Sequence, residues 1–308
     1  MEPPYTEKVR TLTVVIPATD GPMTLERSVR AIEEAEAPPE QVVVVDRPAH
    51  LTSGAARNLG VRQAHGDIVV FVDADVEVHA DAFVRIRTAF VENPALTAVF
   101  GSYDDDPASG SLVSDFRNLL HHHVHHEGAG LATTFWTGLG AVRRDAFLRV
   151  GGFDESVAWI RDIELGMRLR RNGGAVVLDP SIQGKHLKRW SLASMIETDL
   201  FRRGVPWLRL ILEGRADSAT LNLAWRHRVG TAASVLLVVA LLRRNLRLAS
   251  IALAALALVD RDFHALLMRR GGFRMLAAGV PLHVLHRLLA VTAIPIALAG
   301  HLLDGGKR

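Results

Sequence analysis

Residues 53–75 read SGAARNLGVRQAHGDIVVFVDAD, and this stretch decides the fold. Its first half is small and helix-compatible as far as His65 and stops at Gly66. Its second half, Ile68–Val72, is an unbroken apolar run, which reads as a strand buried on both faces and ends in Asp73-Ala74-Asp75. The same grammar recurs upstream. Residues 11–16 (TLTVVI) are a β-branched run closed by Pro17, and residues 25–37 place Leu25, Val29 and Ile32 on one helical face before Pro38-Pro39. Residues 41–45 (QVVVV) are another buried strand, running into Asp46. Strand, helix, strand, helix, strand at these lengths predicts an α/β fold with a parallel sheet and right-handed crossovers. Ligands of such sheets bind beyond the carboxyl ends of the strands, where Asp46, Asp73 and Asp75 all fall.

Working outward, the spacing predicts a helix over 81–93, a strand over 98–102, an acidic loop over 104–110 and a histidine-rich helix over 114–126. A strand over 133–142, helices over 144–150 and 163–171, and a short strand over 176–178 follow. The chain then changes character. Hydrophobic residues make up 49% of the 308, and a mean hydropathy of +0.17 is high for a soluble protein. The excess sits in 229–303, rich in Ala, Leu and Val. Residues 191–212 read as a helix lying at an interface. The apolar runs 229–242 and 248–259 fall short of the ~20 residues of a simple span. Residues 275–303 are long enough, although they carry His283, His286 and Arg287.

A formal charge of +3, from 36 Lys and Arg against 33 Asp and Glu, is too small for a nucleic-acid footprint. The arginines cluster instead beside the apolar tail, as on the cytoplasmic side of membrane proteins. Residues 1–17 have no long apolar core after a basic start, so no cleavable signal is expected. The expected location is the inner membrane, with the front domain facing the cytoplasm. Cysteine is absent, which excludes disulfides and thiolate-bound metal.

Two carboxylates two residues apart, just past a buried strand, can converge on a hard cation such as Mg2+ or Mn2+ that bridges diphosphate oxygens. The plainer alternative is a strand-end turn with two solvated acids. The tract His121-His122-His123-Val124-His125-His126 suggests metal binding, though a structural or acceptor-facing helix explains it as well. Glycines 54, 60 and 66 do not form the GxGxxG fingerprint, which weighs against a dehydrogenase.

From about Leu12 to Trp190 the chain resembles the family 2, GT-A-fold inverting glycosyltransferases. TVVIPATD is similar to the family's first strand, VVVVDRP to its nucleoside-binding strand, and residues 53–75 to the stretch leading into its metal-binding DxD. TGLGAVRRDAFLRVGGFDES and RDIELGMRLRRNG resemble the acceptor-side segment. The resemblance implies a Rossmann-like GT-A domain that takes a UDP-, GDP- or dTDP-sugar as donor. On the donor side it implies Asp46, Arg57 and Asp73, with Lys188 and Arg189 neutralising diphosphate. Asp73 and Asp75 would hold the metal, with His186 as a third ligand or a phosphate contact. Asp162 aligns with the catalytic base, and the acid that usually precedes it is Arg161, which could contact a phosphate. Residues 186–190, His-Leu-Lys-Arg-Trp, resemble the Gln-x-x-Arg-Trp element with His in place of Gln. Trp136, Gly138, Arg161 and Trp190 are the implied acceptor residues.

Three regions are therefore expected: a GT-A domain over 1–195, an interfacial helical segment over 196–228, and membrane-associated helices over 229–308. A lipid or glycolipid acceptor follows from the membrane tail alone. A non-catalytic membrane scaffold and a nucleotidyltransferase stay open as alternatives. The latter lacks its usual basic, Gly-rich loop, because Ala18-Thr19-Asp20-Gly21 carries no Lys or Arg.

Overall fold

The computed structural model describes residues 10–215 and 225–305. Residues 1–9 of the expected front domain, 216–224 of the expected interfacial segment and 306–308 of the tail lie outside the described residues. The chain divides into two compact units. One comprises Met1–Asp104 and His125–Leu187, the other Asp105–Val124 and Lys188–Arg308.

The first unit is built on a twisted, mixed sheet. Strands β1 (Leu12–Pro17), β2 (Gln41–Val45) and β3 (Ile68–Val72) run parallel, joined by α1 (Leu25–Glu33) and α2 (Ser53–Gln63). After β4 (Val76–Val78) and α3 (Ala82–Glu92) comes β5 (Leu96–Tyr103), then α4 (Leu112–Glu127), whose last turn belongs to this unit. The short β6 (Gly130–Leu131), β7 (Leu139–Arg143), α5 (Arg144–Arg149), α6 (Arg161–Arg171) and β8 (Ala175–His186) complete it. The strand order is β2-β1-β3-β7-β5-β8-β4, with β6 also paired to β8. All five residues of β3 are buried, as the apolar run requires. The Phe71 ring packs among Phe135, Phe147 and Phe153, with centroids 5.3–6.4 Å away.

Several expectations need correction. The strand expected over 133–142 begins only at Leu139, because residues 132–138 form a loop. The short strand over 176–178 is a twelve-residue strand that continues through Pro180. Its ladder against β5 shifts register between Phe100↔Leu178 and Ser102↔Gln183, so Pro180 falls where no ladder bond is asked of its missing N–H. Strand β4 lies directly after Asp75 and is too short to show in the pattern.

In the second unit, the helix expected over 191–212 is three joined pieces. These are α7 (Leu192–Glu197), a π-helical stretch Thr198–Gly204, and α8 (Val205–Leu212). The helix expected from 229 begins at Trp225, giving α9 (Trp225–Leu242), and α10 (Leu246–Val259) follows. The last helical element, α11 (Arg261–Gly305), is broken at Gly272, whose φ of 62° and ψ of −161° only glycine adopts cheaply. Phe116, Leu119, Leu120, Met195, Phe263, Leu266, Leu267 and Met275 form a core cluster of this unit.

Trp225–Leu242 and Arg261–Leu303 are long and apolar enough to cross a membrane. Only 22% and 33% of their most apolar stretches are buried, whereas the core helix of a soluble protein would be mostly buried. Large apolar side chains such as Leu242, Leu246, Leu258 and Phe273 are left exposed.

Candidate functional site

The carboxyl end of β3 carries Asp73-Ala74-Asp75, and four neighbours hold this turn. The Asp73 amide donates to the Gly138 carbonyl at 3.2 Å, because β7 starts beside the end of β3. The Thr24 and Ser28 hydroxyls both donate to the Ala74 carbonyl at 2.8 Å. On the other side the Leu187 amide donates to the Asp75 carbonyl at 2.8 Å, following the pairing of Val76 with His186.

Both carboxylates remain partly open, with about three-tenths of each side chain exposed (31% and 30%). The buried Arg57, one turn into α2, places Nη2 2.5 Å from Asp73 Oδ1. Its guanidinium also lies 5.8 Å from the centre of the Phe153 ring. The buried His186 presents Nε2 3.5 Å from Asp75 Oδ2. That separation is long for a hydrogen bond and within reach of a shared cation. The imidazole is stacked on Tyr103 at 4.0 Å with an interplanar angle of 8°. Tyr103 in turn meets the edge of Trp136 at 4.8 Å, and Trp136 meets His125 at 5.1 Å. The indole lies over Gly138, where a Cβ would come within 2.1 Å of its Cζ2.

A second group of side chains lies beside Arg57. Helix α6 opens with Arg161-Asp162, immediately after Ile160, whose φ of 55° is left-handed. A β-branched residue held there stores strain on the order of 1–3 kcal/mol and fixes the direction in which the helix starts. Arg161 lies against Gly54 and donates to Ser53 Oγ at 3.0 Å. Burial and the neighbouring Arg57 push the Arg161 guanidinium pKa down, while Asp162 and Glu155 oppose the shift. Arg161 nevertheless stays charged at any working pH. Asp162 Oδ1 accepts from the Ile163 amide at 2.9 Å.

The structure thus brings Arg57 to Asp73, His186 to Asp75, Trp136 to Gly138, and Arg161 to the helix that carries Arg57. It does not bring Asp46 into a hydrogen bond with them, and that residue stands exposed past the end of β2. Lys188, Arg189 and Trp190 belong to the second unit. There Lys188 Nζ lies 4.2 Å from the centre of the Trp190 ring, and the Trp190 amide donates to Ser114 Oγ at 3.2 Å. Tyr103, Ser53, Thr24 and Ser28 escaped the sequence reading. Thr24 and Ser28 are spaced as one helical face, and Tyr103 ends a strand parallel to β3, so both carried a weak signal.

Oxygen donors from two aspartates and a nitrogen from one imidazole suit Mn2+ or Mg2+. Arg57 occupies one oxygen of Asp73 and leaves the other for a cation, so these residues fit the metal that the fold implies.

Residues 15–151 match the profile of Glycosyl transferase family 2. The matched segment is a family 2 glycosyltransferase domain. Among solved structures, the chain is similar to the mannosyltransferase PcManGT from Pyrobaculum calidifontis, solved with GDP-Man and Mn2+. The identity is 16%, with 95% of this chain and 88% of that one covered and a TM-score of 0.55. At that identity the likeness establishes the GT-A fold. GalNAc-T7, solved with UDP, GalNAc and Mn2+, matches at 12% identity over 70% of this chain and 53% of that one, with a TM-score of 0.46. A mycobacterial protein matches at 19% identity, 68% and 76% coverage, and a TM-score of 0.45. No curated protein matches the chain.

Proposed function

We propose that this chain is a membrane-anchored, inverting glycosyltransferase that moves a sugar from a nucleotide-sugar to a lipid-linked acceptor. The observation that carries the reading is the juxtaposition of Asp73, Asp75 and His186 at the carboxyl end of β3. A metal held there would offset the charge that develops on the departing nucleoside diphosphate. Asp46 holds the nucleoside, Arg57 orients Asp73, and Lys188 and Arg189 contribute positive charge toward the diphosphate. The bond from the anomeric carbon to the diphosphate breaks as the acceptor oxygen bonds to that carbon from the opposite face. Asp162 takes the acceptor's proton. No covalent sugar–enzyme intermediate is needed, so one base suffices.

Trp136, Gly138, Arg161 and Trp190 are assigned to the acceptor. Arg161 supplies a cation that suits an anionic headgroup. The apolar helices of the second unit support an acceptor that itself resides in a membrane, with the catalytic domain on the cytoplasmic face.

Donor binding by the full chain in detergent tests this reading. GDP-mannose is titrated first, because the similar mannosyltransferase PcManGT was solved with it, followed by UDP- and dTDP-sugars, each with and without Mn2+. Metal-dependent binding of one donor, abolished by Asp73→Ala/Asp75→Ala, is the expected result. A folded protein that binds none of them would reject the reading.

A further inference from the structure

The second unit contains a polar cluster that glycosyl transfer does not use. Asp260 closes α10, and His264 lies one turn into α11, where its amide donates to the Asp260 carbonyl at 2.8 Å. The chain reversal at Gly272 folds the rest of α11 back along its own beginning, so Leu267 meets Gly279 and His283 returns to Asp260. One ligand atom from each of Asp260, His264 and His283 lies within 4.8 Å of the other two. Asp260 and His283 are buried, and His264 is partly open.

Two features point to a ligand. Nδ1 of His283 is buried and has no hydrogen-bond partner, in a side chain only 8% exposed. An orphaned buried ring nitrogen calls for an explanation, an ion among them. The Asp260 carboxylate oxygen Oδ2 is 3.7 Å away. That is too long for a hydrogen bond, yet it suits a bridging ion. With metal bonds of about 2.0–2.2 Å, two donors on a tetrahedral zinc stand roughly 3.3–3.6 Å apart, close to this separation.

Arg287 grips Asp260 from the other side, with Nη1 2.7 Å from Oδ2 and Nη2 2.6 Å from Oδ1. Each carboxylate oxygen has two acceptor directions, so this clamp leaves one on Oδ2. It acts as an outer partner that fixes the carboxylate, as such groups do for metal ligands. The Phe263 ring, 5.0 Å from His283 and stacked on His123 at 5.1 Å, walls the cluster with apolar surface. Ionisable groups sequestered among apolar helices are costly and usually serve a purpose.

We propose that Asp260, His264 and His283 form a binding site for a divalent transition-metal ion, zinc by its donor set. The ion clasps the end of α10 to both arms of the α11 hairpin. Two imidazoles and one carboxylate are three ligands, and the open side at His264 admits water as a fourth.

The test uses the full chain purified in detergent, in the Asp73→Ala/Asp75→Ala background so that the donor-side metal does not contribute. Zinc content is measured directly, and Co2+ is titrated for the visible bands of a tetrahedral site. About one zinc per chain, a tetrahedral cobalt spectrum and a zinc-dependent rise in Tm are expected, all lost in His264→Gln. His283→Ala should lose them too. Should it fail to fold, the half-exposed His264→Gln still decides. A folded chain that takes up no zinc, or that keeps it unchanged in folded His264→Gln, overturns the site. Neither outcome bears on sugar transfer, so this site and the proposed function stand or fall separately.

Discussion

Arg57 Nη2 lies 2.5 Å from Asp73 Oδ1, tying the helix before β3 to the acid that ends it. Arg57 is buried, so its charge relies on this contact. Arg57→Met keeps the packing against Phe153 and removes the charge. A charged hydrogen bond of this kind contributes about 1.5–3 kcal/mol. Unfolding in urea should show a loss of that size, and kcat/KM for sugar transfer should fall roughly 10- to 100-fold.

Tyr103 is expected to matter as a ring. Tyr103→Phe retains the stack on His186 and the edge contact with Trp136, and should leave Mn2+ affinity unchanged. Tyr103→Ala removes both, costs about 3–5 kcal/mol of stability, and should weaken Mn2+ binding by at least about 10-fold. Equal Mn2+ titration curves for all three proteins would remove Tyr103 from the account.

Gly138→Ala drives a Cβ to 2.1 Å from Trp136 Cζ2. The indole is held by Tyr103 and His125 and cannot swing aside freely. Overpacking of this sort costs about 1–3 kcal/mol. It also disturbs the carbonyl that receives the Asp73 amide. Thermal melts should show the destabilisation, and steady-state assays a drop in kcat larger than any change in donor KM.

His79 should make stability depend on pH. Its hydrogen bond to Asp104 Oδ2, 2.9 Å long, raises its pKa against the opposing pull of burial. A raised folded-state value favours the charged form. The stabilisation is therefore complete below the unfolded value of about 6.5 and is lost as pH rises through the folded value. His79→Gln should lower Tm more at about pH 5.5 than at about pH 8.5, as scanning calorimetry at both would read.

Asp199 is a buried anchor of the second unit, held by Arg117 at 2.8 Å and by His286 Nδ1 at 2.8 Å. Burial alone would raise its pKa, but Arg117, His286 and Arg203 hold it well below the usual carboxylate range. Its contribution is therefore present above the unfolded pKa and lost only in strong acid. Asp199→Asn removes the counter-charge of the buried Arg117 and should cost about 3–5 kcal/mol, read as a lower melting temperature in detergent.

The strands whose apolar runs are bounded by turns, the placement of Asp46, Asp73 and Asp75 at strand ends, and the apolar tail are all legible in the chain of residues alone. These are local properties, because a continuous β-branched run or a 3.6-residue period shows itself within a few turns of chain. Which distant side chains meet is set by the folded packing. The pairing of β4 with β8 sets His186 beside Asp75, and the start of β7 sets Gly138 beside Asp73. The reversal at Gly272 returns His283 to Asp260. Registers and chain reversals depend on burying whole faces against one another, and no short window of sequence contains that information.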